Sequence, residues 1–211
     1  MGIRIFILLC LLSYNIQAQQ IPFGTGAINY TYTTWSPIYK GSNITLSNSN
    51  YTATNATGTS NCVVSVNGKS TAFYCEVEVV YGFNGVGSGG TGGLLGVAIN
   101  QSSVNTANYA GYGANGWAWF GYGSGPIYHN TTYTGSYGTQ TAGSVIGIYY
   151  DGAGNVFMWR NGLVVNGGSA MITSGLSGNV VYILAGYIDD QYIINGNPAT
   201  QLYNVSHYPG L

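Results

Sequence analysis

The stretch from Gly147 to Gly162 constrains the fold of this chain more than any other. It reads as two strands and two turns. Ile146, Ile148 and Tyr150 alternate around the small Gly147, and Asp151-Gly152 supplies residues that tolerate positive φ. Phe157 and Trp159 then alternate on a second strand, which Asn161-Gly162 closes with the strongest short hairpin signal a sequence offers.

The same grammar runs along the rest of the chain. Short alternating runs are broken by Gly, Asn, Ser and Asp every eight to fifteen residues, and no pattern of helical period is long enough to form a helix. Strands are expected at 44–46, 51–55, 62–66, 71–81, 94–99, 116–122, 144–150, 155–160, 163–165, 180–185 and 191–195, with at most one helical turn between Ser102 and Gly113. At 211 residues the chain suits one large β domain. Residues 83–93, mostly Gly with Ser, Asn and Thr, read as a mobile loop.

Met1 to Ala18 has the form of a secretory signal. Arg4 gives the positive start, Ile5 to Leu12 the apolar run, and Ile16-Gln17-Ala18 the cleavage site. The run is about half the length a membrane span needs. Cys10 raises a lipoprotein reading, but Leu9 stands where that signal wants a small residue. The expected organisation is a signal at 1–18, a flexible lead-in at 19–29 and the domain at 30–211. The mature protein is expected to be secreted or displayed at the cell surface, with no membrane span.

Charged residues make up 4% of the chain, against about 25% in an ordinary globular protein. Beyond the signal, Lys40, Lys69 and Arg160 face Glu76, Glu78, Asp151, Asp189 and Asp190, a formal net charge of −2. Such a surface has no electrostatic footprint for nucleic acid. It is hydrated by Asn, Thr, Ser and Tyr, and its weak colloidal repulsion leaves self-association open. Glycan-acceptor sequons stand at Asn29, Asn43, Asn50, Asn55, Asn100, Asn130 and Asn204, and they carry meaning only in a eukaryotic or viral setting.

Two cysteines follow the signal. A hairpin centred on Asn67-Gly68-Lys69-Ser70 would place Cys62 directly opposite Cys75, within disulfide range, and an exported compartment favours oxidation. A Cys62–Cys75 disulfide is therefore expected; two buried neighbouring thiols are the alternative.

Several segments in order resemble the SPRY domain, in the secreted, stand-alone form of the bacterial and viral type. They are Trp35-Ser36-Pro37 with Lys40 to Ser47, then Phe73 to Val79, Leu95-Gly96-Val97-Ala98, and Asn115 to Phe120 followed by Ile127-Tyr128-His129-Asn130. The opening signature at 147–162 and a closing Pro209-Gly210 complete the series. The likeness covers about Trp35 to the end. It implies an all-β antiparallel sandwich of concanavalin-like jelly-roll architecture, and a non-catalytic module that binds partners through surface loops. The polar Asp189-Asp190-Gln191-Tyr192 segment and the two cysteines depart from the family pattern.

Candidate chemistry is sparse. Glu76 and Glu78 fall on one strand face about 6.6 Å apart, a spacing compatible with glycoside hydrolysis. The glycanase pattern of Glu-x-Asp-x-Glu is nevertheless missing, and a solvated face opposite the apolar Phe73, Cys75, Val77 and Val79 is the simpler reading. His129 and His207 have no companion ligands for zinc. Asp189-Asp190 lacks the alternating oxygens of a calcium loop. The Gly85–Gly93 run lacks the Lys and helix of a phosphate cradle. No cofactor or metal is expected.

What remains is a set of aromatic and amide residues: Tyr109, Tyr112, Trp119, Tyr128, His129 and Tyr133. Loop aromatics on a rigid scaffold are the residues that carry recognition, so a protein or glycan partner is expected there. A self-associating coat or appendage subunit is the alternative, and glycan cleavage by Glu76 and Glu78 the remotest. Trp117, Phe157 and Trp159 are assigned to the core, while Trp119 fits either role.

Overall fold

The computed structural model describes residues 29–30, 33–55, 58, 60–81 and 93–195. The expected signal, nearly all of the lead-in, the glycine-rich run up to Gly92, Asn204, His207 and Pro209-Gly210 lie outside the described residues. In chain order the strands are β1 (Asn29–Tyr30), β2 (Trp35–Lys40), β3 (Ile44–Ser47), β4 (Thr52–Asn55), β5 (Val63–Ser65), β6 (Phe73–Tyr81), β7 (Leu94–Ile99) and β8 (Gly116–Phe120). There follow β9 (Ile127–His129), β10 (Thr132–Thr134), β11 (Ser144–Tyr150), β12 (Val156–Arg160), β13 (Leu163–Val164), β14 (Val181–Ala185) and β15 (Asp190–Asn195). Single 3-10 turns at Gln101–Ser103 and Asn166–Gly168 are the helical content among the described residues. None of these helices is long and apolar enough to cross a membrane.

The strands form two sheets. The first runs β13-β12-β11-β6-β15-β4-β3, and the second β10-β9-β8-β7-β14-β5-β2. Every pairing along these paths is antiparallel; the one departure from the expected all-antiparallel pattern is the short parallel pairing of β1 with β6. This is the expected antiparallel β-sandwich.

Period-two alternation turns one face of each sheet inward. Phe73, Cys75, Val77 and Val79 of β6 meet Ile146 and Ile148 of β11 in the first sheet. Across the interior stand Leu95 and Val97 of β7 with Trp117 and Trp119 of β8. The signature at 147–162 forms as expected. Asn161 and Gly162 both take positive φ, 50° and 77°, in the turn between β12 and β13. Asp151 holds the preceding turn, its Oδ1 accepting from the backbone nitrogens of Ala153, Gly154 and Asn155. Gly147 is small for a reason: a Cβ there would lie 2.4 Å from the Tyr74 hydroxyl.

The outer face of the first sheet is buried around Tyr74, Glu76, Tyr149 and Trp159, which corrects two expectations. Glu76 is 1% exposed and accepts a 3.1 Å hydrogen bond from the Tyr74 hydroxyl, so it is not part of a solvated face. Glycoside hydrolysis needs both carboxylates at substrate, and only Glu78 is partly exposed. Trp159 is buried as expected, but on this outer face, edge-on to Tyr74 and Tyr149, and Phe157 beside it is half-buried.

The Cys62–Cys75 disulfide is not formed. β5 belongs to the second sheet and β6 to the centre of the first, so 66–72 crosses between sheets and makes no hairpin. Lys69 pairs with Val181 of β14, and Gly68 passes so close that a Cβ would lie 2.7 Å from the Val181 carbonyl. Cys75 faces the sandwich interior, while Cys62 lies in a second apolar layer outside the other sheet. Both are buried free thiols, their pKa values pushed up by burial. Native protein should resist thiol-specific alkylation, and two equivalents should react once the chain is unfolded without reductant. Failure of that second reaction would restore the disulfide.

Candidate functional site

The second sheet turns an aromatic face outward. On β8, Trp117 and Trp119 point into the sandwich, so Ala118 and Phe120 point out. On β9, Tyr128 is the outward residue, paired across the sheet with Ala118 on one side and with Tyr133 of β10 on the other. The Tyr128 and Tyr133 rings pack at 4.6 Å, and Phe120 meets Tyr133 at 5.8 Å.

The 100–115 loop lies over this face and is fastened to it. Ala110 N donates to Gly186 O, Asn130 N to Gly111 O and Cys62 N to Thr106 O. Gly111 sits at φ 81° with its Cα against the Tyr128 carbonyl, where a Cβ would approach to 2.4 Å. The loop thereby sets Tyr109 on Tyr128, rings 5.2 Å apart and hydroxyls 3.0 Å apart, with Tyr112 edge-on behind it at 5.4 Å. Tyr187, from the turn after β14, closes the group against Tyr109 and Phe120.

The result is a nearly continuous tyrosine surface. Tyr112, Tyr122 and Tyr133 are 37%, 50% and 54% exposed, over a buried Tyr128. Burial raises the pKa values of Tyr128, Tyr133 and Tyr187, and their phenolic neighbours raise them further. Both effects favour the neutral phenol. Rigid rings with polar tips give contact area at low entropic cost.

Of the six expected contact residues, the structure brings together Tyr109, Tyr112, Tyr128 and Tyr133. Trp119 is a correction: it is fully buried in the sandwich, and its indole nitrogen donates to Gly138 O at 3.0 Å. His129 lies on the inward side of β9, its ring stacked flat on Trp117 at 4.2 Å and 4°. Phe120 and Tyr122 lie outside the six, although strand parity places Phe120 opposite to Trp119. Tyr187 carried no local signal, because it arrives from a turn nearly sixty residues further on.

Among the sequons, Asn100 and Asn130 are exposed, and Asn43 and Asn50 partly so. Asn55 is buried and its amide nitrogen donates to Tyr187 O at 2.6 Å, so the folded chain cannot carry a glycan there. Of Asn29 only the backbone is described. No cluster of three or more potential metal ligands occurs among the described residues.

No family signature and no curated protein matches the sequence. Solved structures do match. The SPRY domain of human HERC1 superposes with a TM-score of 0.59 at 17% identity, covering 76% of this chain and 96% of that one. The PSpry domain of TRIM65 gives 0.59 at 13%, covering 79% and 93%. A human SPRY domain gives 0.52 at 17%, covering 74% and 96%. The fold is SPRY-like.

Proposed function

We propose that this chain is an exported, non-catalytic recognition module that binds a protein or glycan partner through the tyrosine face of its second sheet. The observation that carries the reading is the uncharged layer of Tyr109, Tyr112, Tyr128 and Tyr133, completed by Phe120 and Tyr187, on a scaffold that holds each ring in place. Tyrosine is among the residues enriched at binding hot spots, because a rigid ring gives contact area at low entropic cost. The three solved structures named above are SPRY domains, whose architecture commonly serves interaction, and the signal-like start supports export.

Tyr112 and Tyr133 make the cleanest test, being exposed and outside the sandwich core. Against a glycan array and a panel of extracellular proteins, Tyr112→Ala and Tyr133→Ala should each weaken the wild-type interaction by about 1 kcal/mol or more. Their melting temperatures should stay close to wild type. Tyr128→Ala should lose both binding and stability, because its ring is buried. Folded Tyr112 and Tyr133 variants that bind like wild type would place the contact elsewhere.

A further inference from the structure

Strand β10 has two sides, and the second carries its own site. Tyr133 faces the tyrosine surface, while Thr132 and Thr134, of the opposite parity, line a cleft of about 450 Å³. Its floor is Trp117, Ile127 and His129, and its far wall runs from Met171 to Ser174. The size falls within the roughly 300–1,000 Å³ typical of small-ligand sites.

The cleft is built from fixed parts. Met171 N and Ile172 N both donate to Val156 O, and Val156 N donates to Ile172 O, which fastens the far wall to β12. Gly175, at φ 84°, lets that wall close on the indole edge, where a Cβ would lie 2.4 Å from Trp117 Cζ2. His129 is held by its flat stack on Trp117 and by a 2.8 Å hydrogen bond between Nδ1 and Gly116 O. A carbonyl only accepts, so Nδ1 carries the proton and Nε2 is the ring nitrogen left for a ligand.

We propose that this cleft binds a neutral sugar unit, in contacts separate from those of the tyrosine face. No residue lining it bears a formal charge with His129 neutral, so an anionic or cationic ligand would lose its hydration without a counter-charge. The partly exposed outer face of the His129 ring, backed by the buried Trp117 and Ile127, suits the C–H face of a pyranose. Threonine and serine hydroxyls, the Asn130 amide and His129 Nε2 suit its ring of hydroxyls. A polysaccharide end and a glycoprotein chain end present the same recognised chemistry.

The test uses the full mature chain made in bacteria, so that Asn130 at the rim is unmodified. The probes are the methyl glycosides of glucose, galactose and mannose, N-acetylglucosamine, cellobiose, chitobiose, maltose and lactose. N-acetylneuraminate and glucuronate serve as anionic comparisons. Saturable shifts of the Trp117 indole and His129 ring signals in NMR are expected for at least one neutral sugar. Affinity should fall about tenfold in His129→Ala, and as far in Ser174→Trp, which fills the cleft from its exposed wall without touching the core. Tyr133→Ala should bind the sugar like wild type, even where it abolishes binding of a partner at the tyrosine face. Oligosaccharides released from glycoproteins, tested beside plant and bacterial polysaccharide fragments, distinguish the two sources. Three results would overturn the proposal: no saturable shift with any neutral sugar, tighter binding of the anionic sugars, or binding that survives both cleft variants.

Discussion

Raising the pH from about 4 to about 7 is expected to destabilise the protein, and Asp190→Asn is expected to abolish that loss. Asp190 is fully buried at the start of β15. Its Oδ2 accepts from Tyr187 N at 2.6 Å and from the Tyr192 hydroxyl at 2.8 Å, while Oδ1 accepts no hydrogen bond. Burial pushes its pKa up from 3.8 to about 7; the two hydrogen bonds pull the other way without cancelling it, and the neighbouring Asp189 adds to the rise. The folded state therefore holds the proton more tightly than the unfolded chain. The stabilisation is complete below the unfolded pKa and disappears as the pH climbs through the folded one, a loss of roughly 4 kcal/mol across the window.

The same carboxylate anchors the turn that presents Tyr187 to Tyr109 and Phe120. Stability and the shape of the tyrosine face are thus tied at one residue. Denaturant unfolding of wild type and Asp190→Asn from pH 4 to pH 8 measures the effect. The asparagine keeps an acceptor for Tyr187 and Tyr192 and has no proton to lose. Equal slopes in the two proteins would place the titration at another group.

The legible part of the fold was the part written in alternation. Each expected strand matches an observed one to within a residue or two at its ends, because period two and turn chemistry are local properties, but β1, β2, β9 and β10 fall outside the expected ranges. Partner choice is not local, and the cysteines show it. The spacing around Asn67-Gly68 fits a hairpin, yet Val63, Val64 and Ser65 are buried on both faces and lie between β2 and β14. The chain gains more by inserting β5 into the second sheet than by folding it back on β6. The inward face of β6 was likewise legible, but nothing in Tyr74 or Glu76 signals that the opposite face is covered as well. At the candidate site the tyrosines were found from composition and sequence position, but only Tyr109 and Tyr112 stand on a loop, while Tyr128 and Tyr133 stand on β9 and β10. Tyr187 and the cleft below His129 depend on segments far apart in the chain.

Replacing Trp119 with alanine should cost about 3–5 kcal/mol of stability, which in a domain of this size lowers the melting temperature by about 10 °C or more. Trp119 has no exposed surface and packs between the sheets, paired across β8 with Leu95 on one side and Ile127 on the other. Its indole nitrogen donates to Gly138 O, and its own carbonyl accepts from Gln140 Nε2, so the ring also anchors the segment that leads into β11. Alanine would open a cavity the sheets cannot close and would orphan the Gly138 carbonyl. Trp119→Phe keeps most of the volume and loses the hydrogen bond, so it should fall between the two. Tyr133→Ala, on the exposed face of the same sheet, should leave the melting temperature within a few degrees of wild type. Trp119 and Tyr133 read alike in the sequence, as aromatic residues near a loop, and the opposite responses of the two variants separate packing from recognition. A Trp119→Ala protein as stable as wild type but unable to bind would return Trp119 to the contact surface.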